Sequence, residues 1–184
     1  MEIQSIDLFG KRIGFMKIKT TTVNTQTNKT VPGIVFLRGD AVAILPVITS
    51  ESQQFVLVTE QVRVPIGQKF LEIPAGMTDG DGNLSGVAIK ELQEETGISS
   101  INAHDLVSLG QIVPSPGGCD EKLHLYLLKL QFTDAQITEM QKKVYGEGPH
   151  EVITLKFLTM EEAWKLDDVK TLAALGRATH NHLL

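Results

Sequence analysis

Eight consecutive residues at 41–48, AVAILPVI, carry no charged or hydrogen-bonding side chain. A short apolar run of this kind between polar segments is the pattern of a strand buried on both faces. A second run, FVLVT at 55–59, follows after the polar turn SESQQ, and the two together start a main sheet. An extended segment with Pro65 and Pro74 and a Gly-rich loop at 76–86 come next. The spacing then predicts a helix over about 85–96, closed by Gly97 with Ile98 folding back in a Schellman-type contact. Residues 106–113 and 123–130 are strand candidates flanking the loop PSPGGCDE. Thr133 with Gln136, and Thr159 with Glu162, are capping boxes that start helices near 134–144 and 160–166, and a last helix is expected over 169–179. Strands and helices interleave without repeats. The fold class is therefore α/β (α+β): one mixed β-sheet sandwiched between helices. Ahead of it, alternation over 12–20, a Thr- and Asn-rich stretch at 21–31 and a strand-like run at 33–38 make an N-terminal β-hairpin too short to fold alone. The expected division is 1–39 for this extension and 40–184 for the main domain.

Charge narrows the function classes. The 184 residues carry a net charge of −5 with no run of like charges, which leaves no basic footprint for nucleic acid. A polyanionic substrate must then meet local positive charge or a metal. The N-terminal residues lack the apolar core of a signal peptide, and no stretch of about 18 apolar residues occurs; no membrane partner is expected, and the expected location is cytoplasmic. Cys119 is the single cysteine and reads as a buried thiol acting as a small hydrophobe. None of the five histidines has zinc-ligand spacing, and Trp164, in a capped helix with Leu166, reads as core packing.

The segment GMTDGDGNLSGVAIKELQEETGI at 76–98 places Glu91, Glu94 and Glu95 at i, i+3 and i+4 on one helical face. Neighbouring carboxylates on a helix repel by about 0.2–0.5 kcal/mol per pair. Such a cluster is either a solvated acidic face or a cation site, and clustered carboxylates are what Mg2+ or Mn2+ prefers.

With Gly76 at a fixed interval before the helix and Gly97 ending it, the segment resembles the Nudix box: Gly, five residues, Glu, seven residues, Arg-Glu-apolar, one residue, Glu-Glu, one residue, Gly-apolar. Gly76, Glu91, Leu92, Glu94, Glu95, Gly97 and Ile98 match in register. Gly82 stands where the family has its first Glu and Lys90 where it has Arg. Those two family side chains commonly pair, so their joint change resembles loss of one structural ion pair, with Asp79 and Asp81 as candidate partners for Lys90.

The flanks resemble one branch of that superfamily more closely. TEQVRVPIGQKFLEIPAG (59–76) is similar to the segment entering the box of ADP-ribose and ADP-sugar pyrophosphatases, and PSPGGCDEK (114–122) to their substrate loop. IDLFGKRIGFMKIK (6–19) and PGIVFLRGDAVAILPV (32–47) look like the plant ADP-sugar diphosphatases. The resemblance implies a Nudix fold and Mg2+-dependent, or Mn2+-dependent, hydrolysis of a nucleotide-sugar such as ADP-glucose or ADP-ribose to AMP and a sugar phosphate. It implies metal ligation by Glu91, Glu95, the Ala75 carbonyl and Glu151, with Glu94 adjacent, and a general base from Glu147 or Glu151. It implies substrate contacts from Arg63, Glu72, Gly117, Gly118 and Glu121, and a homodimer joined through N-terminal strands. Two other readings stay open: a catalytically degenerate Nudix-fold module that binds a nucleotide sugar, and a Nudix hydrolase of another nucleoside diphosphate derivative.

Overall fold

The computed structural model describes residues 2–3, 6–8, 11–13, 17–24, 30–78, 80, 82–146 and 152–184, and up to residue 31 it describes backbone pairing alone. The N-terminal strands are β1 (Glu2–Ile3), β2 (Ile6–Leu8), β3 (Lys11–Ile13), β4 (Lys17–Asn24) and β5 (Thr30–Leu37). The expected hairpin is β4–β5, in antiparallel register from Lys17↔Leu37 to Asn24↔Thr30. It is part of a three-stranded sheet in the order β1-β4-β5, and β2 pairs with β3 separately.

The main sheet comprises β6 (Asp40–Thr49), β7 (Gln54–Arg63), β8 (Gln68–Glu72), β9 (Ala75–Met77), β10 (Leu106–Ile112), β11 (Lys122–Gln131) and β12 (Thr154–Thr159). Its order is β10-β11-β6-β7-β12, with β8 on β7 and β9 on β6. The pair β6–β11 is parallel from Asp40↔Lys122 to Thr49↔Gln131, and the other pairs are antiparallel. The sheet is therefore mixed.

Four helices complete the chain: α1 (Leu84–Thr96), α2 (Asp134–Met140), α3 (Met160–Ala163) and α4 (Val169–His180). Alternation along β6 explains the sandwich. Ala41, Ala43, Leu45 and Val47 join a core with Ala174, Leu175 and Ala178 of α4. Val42, Ile44 and Ile48 join the opposite core with Ala88 and Leu92 of α1. Side chains at successive strand positions point to opposite faces, so a run apolar at every position needs a helix on each side. Ile44, Leu92 and Leu175 are fully buried, and each contributes about 1.5–3 kcal/mol by leaving water.

Several sequence expectations need correction. The segment after 59 is not simply extended: β7 runs on to Arg63, a 3-10 turn at Val64–Ile66 reverses it, and β8 returns. Pro65 sets the turn and Gly67, at φ 67°, closes it by donating to the Val64 carbonyl. The Gly-rich stretch begins on a strand, since Ala75–Met77 pairs with Ala41–Ala43. The cap of α1 is the single αL bond from Gly97 N–H to the Gln93 carbonyl at 2.8 Å, while the Ile98 N–H goes to Thr96 Oγ1 rather than into a Schellman bond. Helices α2 and α3 start at their capping boxes but are shorter than expected. Beyond Gln141 and Trp164 the amides bond three residues back, as in Lys143 N–H to the Met140 carbonyl and Leu166 N–H to the Ala163 carbonyl, which tightens and ends each helix. Trp164 is 44% exposed, lying beside Gly176 of α4 with its amphipathic ring partly in water. Cys119 is only half-buried, in the loop whose backbone bridges to Phe36.

Candidate active site

Helix α1 begins at Asn83, whose side chain accepts the Gly86 N–H at 3.1 Å. Its buried positions are Ala88, Leu92, Glu95 and Thr96, the stripe of an amphipathic helix. Glu95 therefore lies on the inward face and is 5% exposed. Its Oε2 accepts the Ala75 N–H at 3.1 Å. Glu91, one turn earlier, lies against the next residue: a Cβ added to Gly76 would sit 1.9 Å from its carboxyl carbon. Only a glycine leaves room for that carboxylate. The solvated-face reading fails for these two residues.

Glu94 differs. It turns toward Lys90, with Nζ–Oε1 at 2.9 Å across an i, i+4 pair whose lysine side chain is 64% exposed. Lys90 thus has a carboxylate partner within its own helix, while Asp79 and Asp81, the expected partners, lie outside the described residues. An exposed pair of this kind contributes about 0.3–0.5 kcal/mol. The coupling between Lys90→Ala and Glu94→Ala, read from a double-mutant cycle in urea, should be about that size, and a coupling several times larger would show that the pair is more than a surface contact.

Above Ala75 and Gly76 opens a cleft of ≈ 500 Å³, within the range of small-ligand sites. Arg38, Arg63 and Lys170 bring three cations to its lining against the two carboxylates of Glu72 and Glu121, and Pro65, Ile66, Phe70 and Met77 supply apolar wall. The lining thus carries one more positive than negative side chain, in a protein whose net charge is −5. Glu72 is 3% exposed. Its Oε1 accepts from Arg63 Nε at 2.6 Å, and its Oε2 meets Lys170 Nζ. Lys170 also donates to Asp168 Oδ1 at 2.9 Å. Asp168 caps α4, its Oδ2 accepting from Thr171 N–H at 3.1 Å and from the Thr171 hydroxyl at 2.6 Å. The Thr171 Oγ1 in turn accepts the Ile73 N–H at 3.2 Å.

Burial pushes the Glu72 carboxyl up, but the Arg63 hydrogen bond and the Lys170 charge more than offset this and hold it below its ordinary value of 4.5. A depressed folded value means that the pairing stabilises the protein fully above about pH 4.5 and that this is lost as pH falls through the folded value. The stability difference between wild type and Glu72→Gln, read from urea midpoints, should be constant near neutrality and should shrink in wild type's disfavour below pH 4.5; a wild-type advantage that grows on acidification would contradict the pairing.

The 114–121 loop is stitched to the end of β5. Phe36 N–H donates to the Gly118 carbonyl at 2.7 Å and Asp120 N–H to the Phe36 carbonyl at 3.3 Å. Asp120 Oδ1 accepts from Arg38 N–H at 2.7 Å and Gly39 N–H at 3.2 Å. These bonds set Glu121 beside Arg38, with Nε–Oε2 at 3.2 Å. Gly117 and Gly118 are exposed, are not part of the cleft lining, and would meet nothing within 4 Å if given a Cβ. Their conformation does not require glycine.

Of the residues singled out in the sequence, the structure gathers Arg63, Glu72, Ala75 and Glu121 in the cleft and sets Glu91 and Glu95 against its floor. Gly117 and Gly118 are not part of its lining, and Glu94 pairs with Lys90. Glu147 and Glu151 lie outside the described residues. Lys170, Asp168, Thr171 and Arg38 were not singled out. Asp168 three residues before Thr171 was a readable N-cap, but nothing local says that Lys170 reaches a glutamate 98 residues away.

The donor chemistry fits a hard divalent cation. Two carboxylates one helical turn apart converge on the Ala75–Gly76 backbone, giving oxygen ligands and no sulfur or nitrogen. Among the described residues no group of three or more His, Cys, Asp and Glu is assembled for a metal. Among them, too, no helix is long and apolar enough to cross a membrane.

Residues 37–177 match the NUDIX domain. The chain is 42% identical to Nudix hydrolase 14, chloroplastic, of Arabidopsis thaliana over 95% of its own length and 60% of that protein's. It is 28% identical to a methanol dehydrogenase activator of Bacillus methanolicus, covering 94% of this chain and 89% of the other. It is 30% identical to an ADP-ribose pyrophosphatase of Bacillus subtilis, covering 68% and 61%. The chain thus spans about three-fifths of the Arabidopsis and Bacillus subtilis relatives. A crystal structure of an ADP compounds hydrolase superposes with a TM-score of 0.68 at 13% identity, over 100% of this chain and 96% of that one, and shares its fold. With the domain match covering most of the chain and the box residues arranged around Ala75 and Gly76, the protein belongs to the Nudix family.

Proposed function

We propose that this protein hydrolyses the pyrophosphate of ADP-sugars, ADP-ribose and ADP-glucose among them, to AMP and a sugar phosphate, with Mg2+ or Mn2+ as cofactor. The observation that carries the reading is the placement of Glu91 and Glu95 against Ala75 and Gly76, at the floor of a cleft lined by three cations. When bound, the metal supplies charge neutralisation of phosphate oxygens and activation of water. Glu91, Glu95 and the Ala75 carbonyl would hold it, with Glu151 completing the set and Glu94 adjacent. Glu147 or Glu151 takes the proton of the attacking water, a role that requires hydrogen-bond reach to it. Arg63 and Arg38 draw the diphosphate into the cleft, and Glu72 and Glu121 offer acceptors to sugar or ribose hydroxyls.

The relatives named ADP-ribose pyrophosphatase and, in mouse, ADP-sugar pyrophosphatase support this substrate class. Residues 40–184 form the hydrolase domain in this reading, and residues 1–39 an extension that joins two copies into a homodimer. The cytosol is retained as the location; the chloroplastic name of the Arabidopsis relative is the competing assignment, which a fluorescent fusion in the source organism decides. The test of function is incubation with Mg2+ and, separately, ADP-ribose, ADP-glucose, UDP-glucose, NADH and ATP, with products separated by chromatography. AMP from the ADP-sugars at the highest rate is expected. Preference for another compound would move the protein to a different Nudix substrate class, and tight binding without turnover would make it a nucleotide-sugar binding module.

A further inference from the structure

We infer that Lys170 is a positioning residue for substrate recognition: it holds the Glu72 carboxylate in the cleft wall and keeps it charge-paired when Arg63 shifts toward a substrate phosphate. The inference rests on the ADP-sugar reading and goes beyond it in assigning a role to a residue outside the Nudix box and its flanking segments. Glu72 is almost wholly buried and contacts two cations through different oxygens, Arg63 through Oε1 and Lys170 through Oε2. The two cations differ in exposure. The Arg63 side chain is 42% exposed, on a strand that ends at the hairpin turn. The Lys170 side chain is 13% exposed and is held at a second point by Asp168, itself fixed as the cap of α4. A buried carboxylate that lost its only cation would be strongly disfavoured. With Lys170 fixed on Oε2, Glu72 remains paired while the exposed guanidinium, whose planar fork suits phosphate oxygens, engages the diphosphate. The same helix start also anchors the segment leading to the cleft floor, because Thr171 accepts the Ile73 N–H two residues before Ala75.

The experiment is titration calorimetry of ADP-ribose into metal-free protein, where binding is read without turnover, on wild type, Lys170→Met, Glu72→Gln and the double variant. A glutamine at 72 carries no charge to be paired, so a residue that acts through Glu72 loses its effect there. Lys170→Met alone is expected to raise Kd about tenfold, the scale of one hydrogen bond to a charged group. In the Glu72→Gln background the same change should move Kd less than about twofold, and Lys170→Arg, which keeps the charge, should recover most of the affinity. An unchanged Kd in Lys170→Met with wild type binding normally would overturn the role and leave the function standing. An equal loss in both backgrounds would also overturn it, since Lys170 would then touch substrate itself. Wild type that binds no ADP-sugar, in metal-free buffer or with Mg2+, would instead bring down the functional reading. Should Lys170→Met fail to fold, Lys170→Gln, which removes the charge but keeps an N–H donor, carries the same expectations.

Discussion

Glu95→Gln is expected to lower the rate of ADP-ribose hydrolysis about a thousandfold while the protein stays folded, because charge neutralisation by a metal is worth several kcal/mol of barrier and each 1.4 kcal/mol is a factor of ten. The substitution is chosen for what it leaves in place. Glu95 is 5% exposed and accepts the Ala75 N–H through Oε2, and a glutamine carbonyl can accept the same bond. Thermal unfolding should therefore stay within a few degrees of wild type. Circular dichroism melts beside single-turnover rates check both halves. A variant that is folded and nearly as active would remove Glu95 from the metal set.

Gly76→Ala should cost at least a hundredfold in rate with little loss of stability, an unusual combination for a glycine in a strand. The added Cβ would lie 1.9 Å from the Glu91 carboxyl carbon and 2.3 Å from each of its oxygens. Those atoms are the far end of a flexible side chain, so Glu91 is pushed aside, and a χ angle forced about 30° off its rotamer costs about 0.5–1.5 kcal/mol besides whatever contact the carboxylate gives up. The swing moves the carboxylate away from the Gly76 backbone it lies against, and misplacement by about 1 Å is enough to cost a hundredfold in a preorganised site. The checks are a urea titration and the rate on ADP-ribose. A large stability loss with normal residual kcat would mean that the clash is absorbed by the backbone instead.

What the sequence made legible follows the range of the forces involved. The run at 41–48 announced a doubly covered strand, and the two cores on either side of β6 are that strand's alternate residues. Capping boxes at Thr133 and Thr159 located two helix starts, since an N-cap is satisfied within four residues. Helix ends were less legible, because Met140 and Ala163 are followed by three-back bonds with no glycine to mark them. The box spacing located Glu91, Glu94 and Glu95 along one side of α1, but not that Glu94, 23% exposed, pairs with Lys90 one turn before it. Arg63 and Glu72 were readable only through resemblance. Their pairing depends on the β7–β8 register, with Arg63↔Gln68 and Thr59↔Glu72 aligned, and a hairpin with an unforeseen 3-10 turn sets that register. Lys170 was out of reach for the same reason, since its partner comes from the far end of the chain.

Single-turnover release of AMP from ADP-ribose in Mg2+, measured for wild type beside Glu95→Gln, tests the central claim most directly. The expected result is AMP and ribose 5-phosphate in equal amounts from wild type, lost on chelation and lost in the variant. Intact ADP-ribose in every sample, with the nucleotide bound, would contradict hydrolysis and leave a binding module in its place.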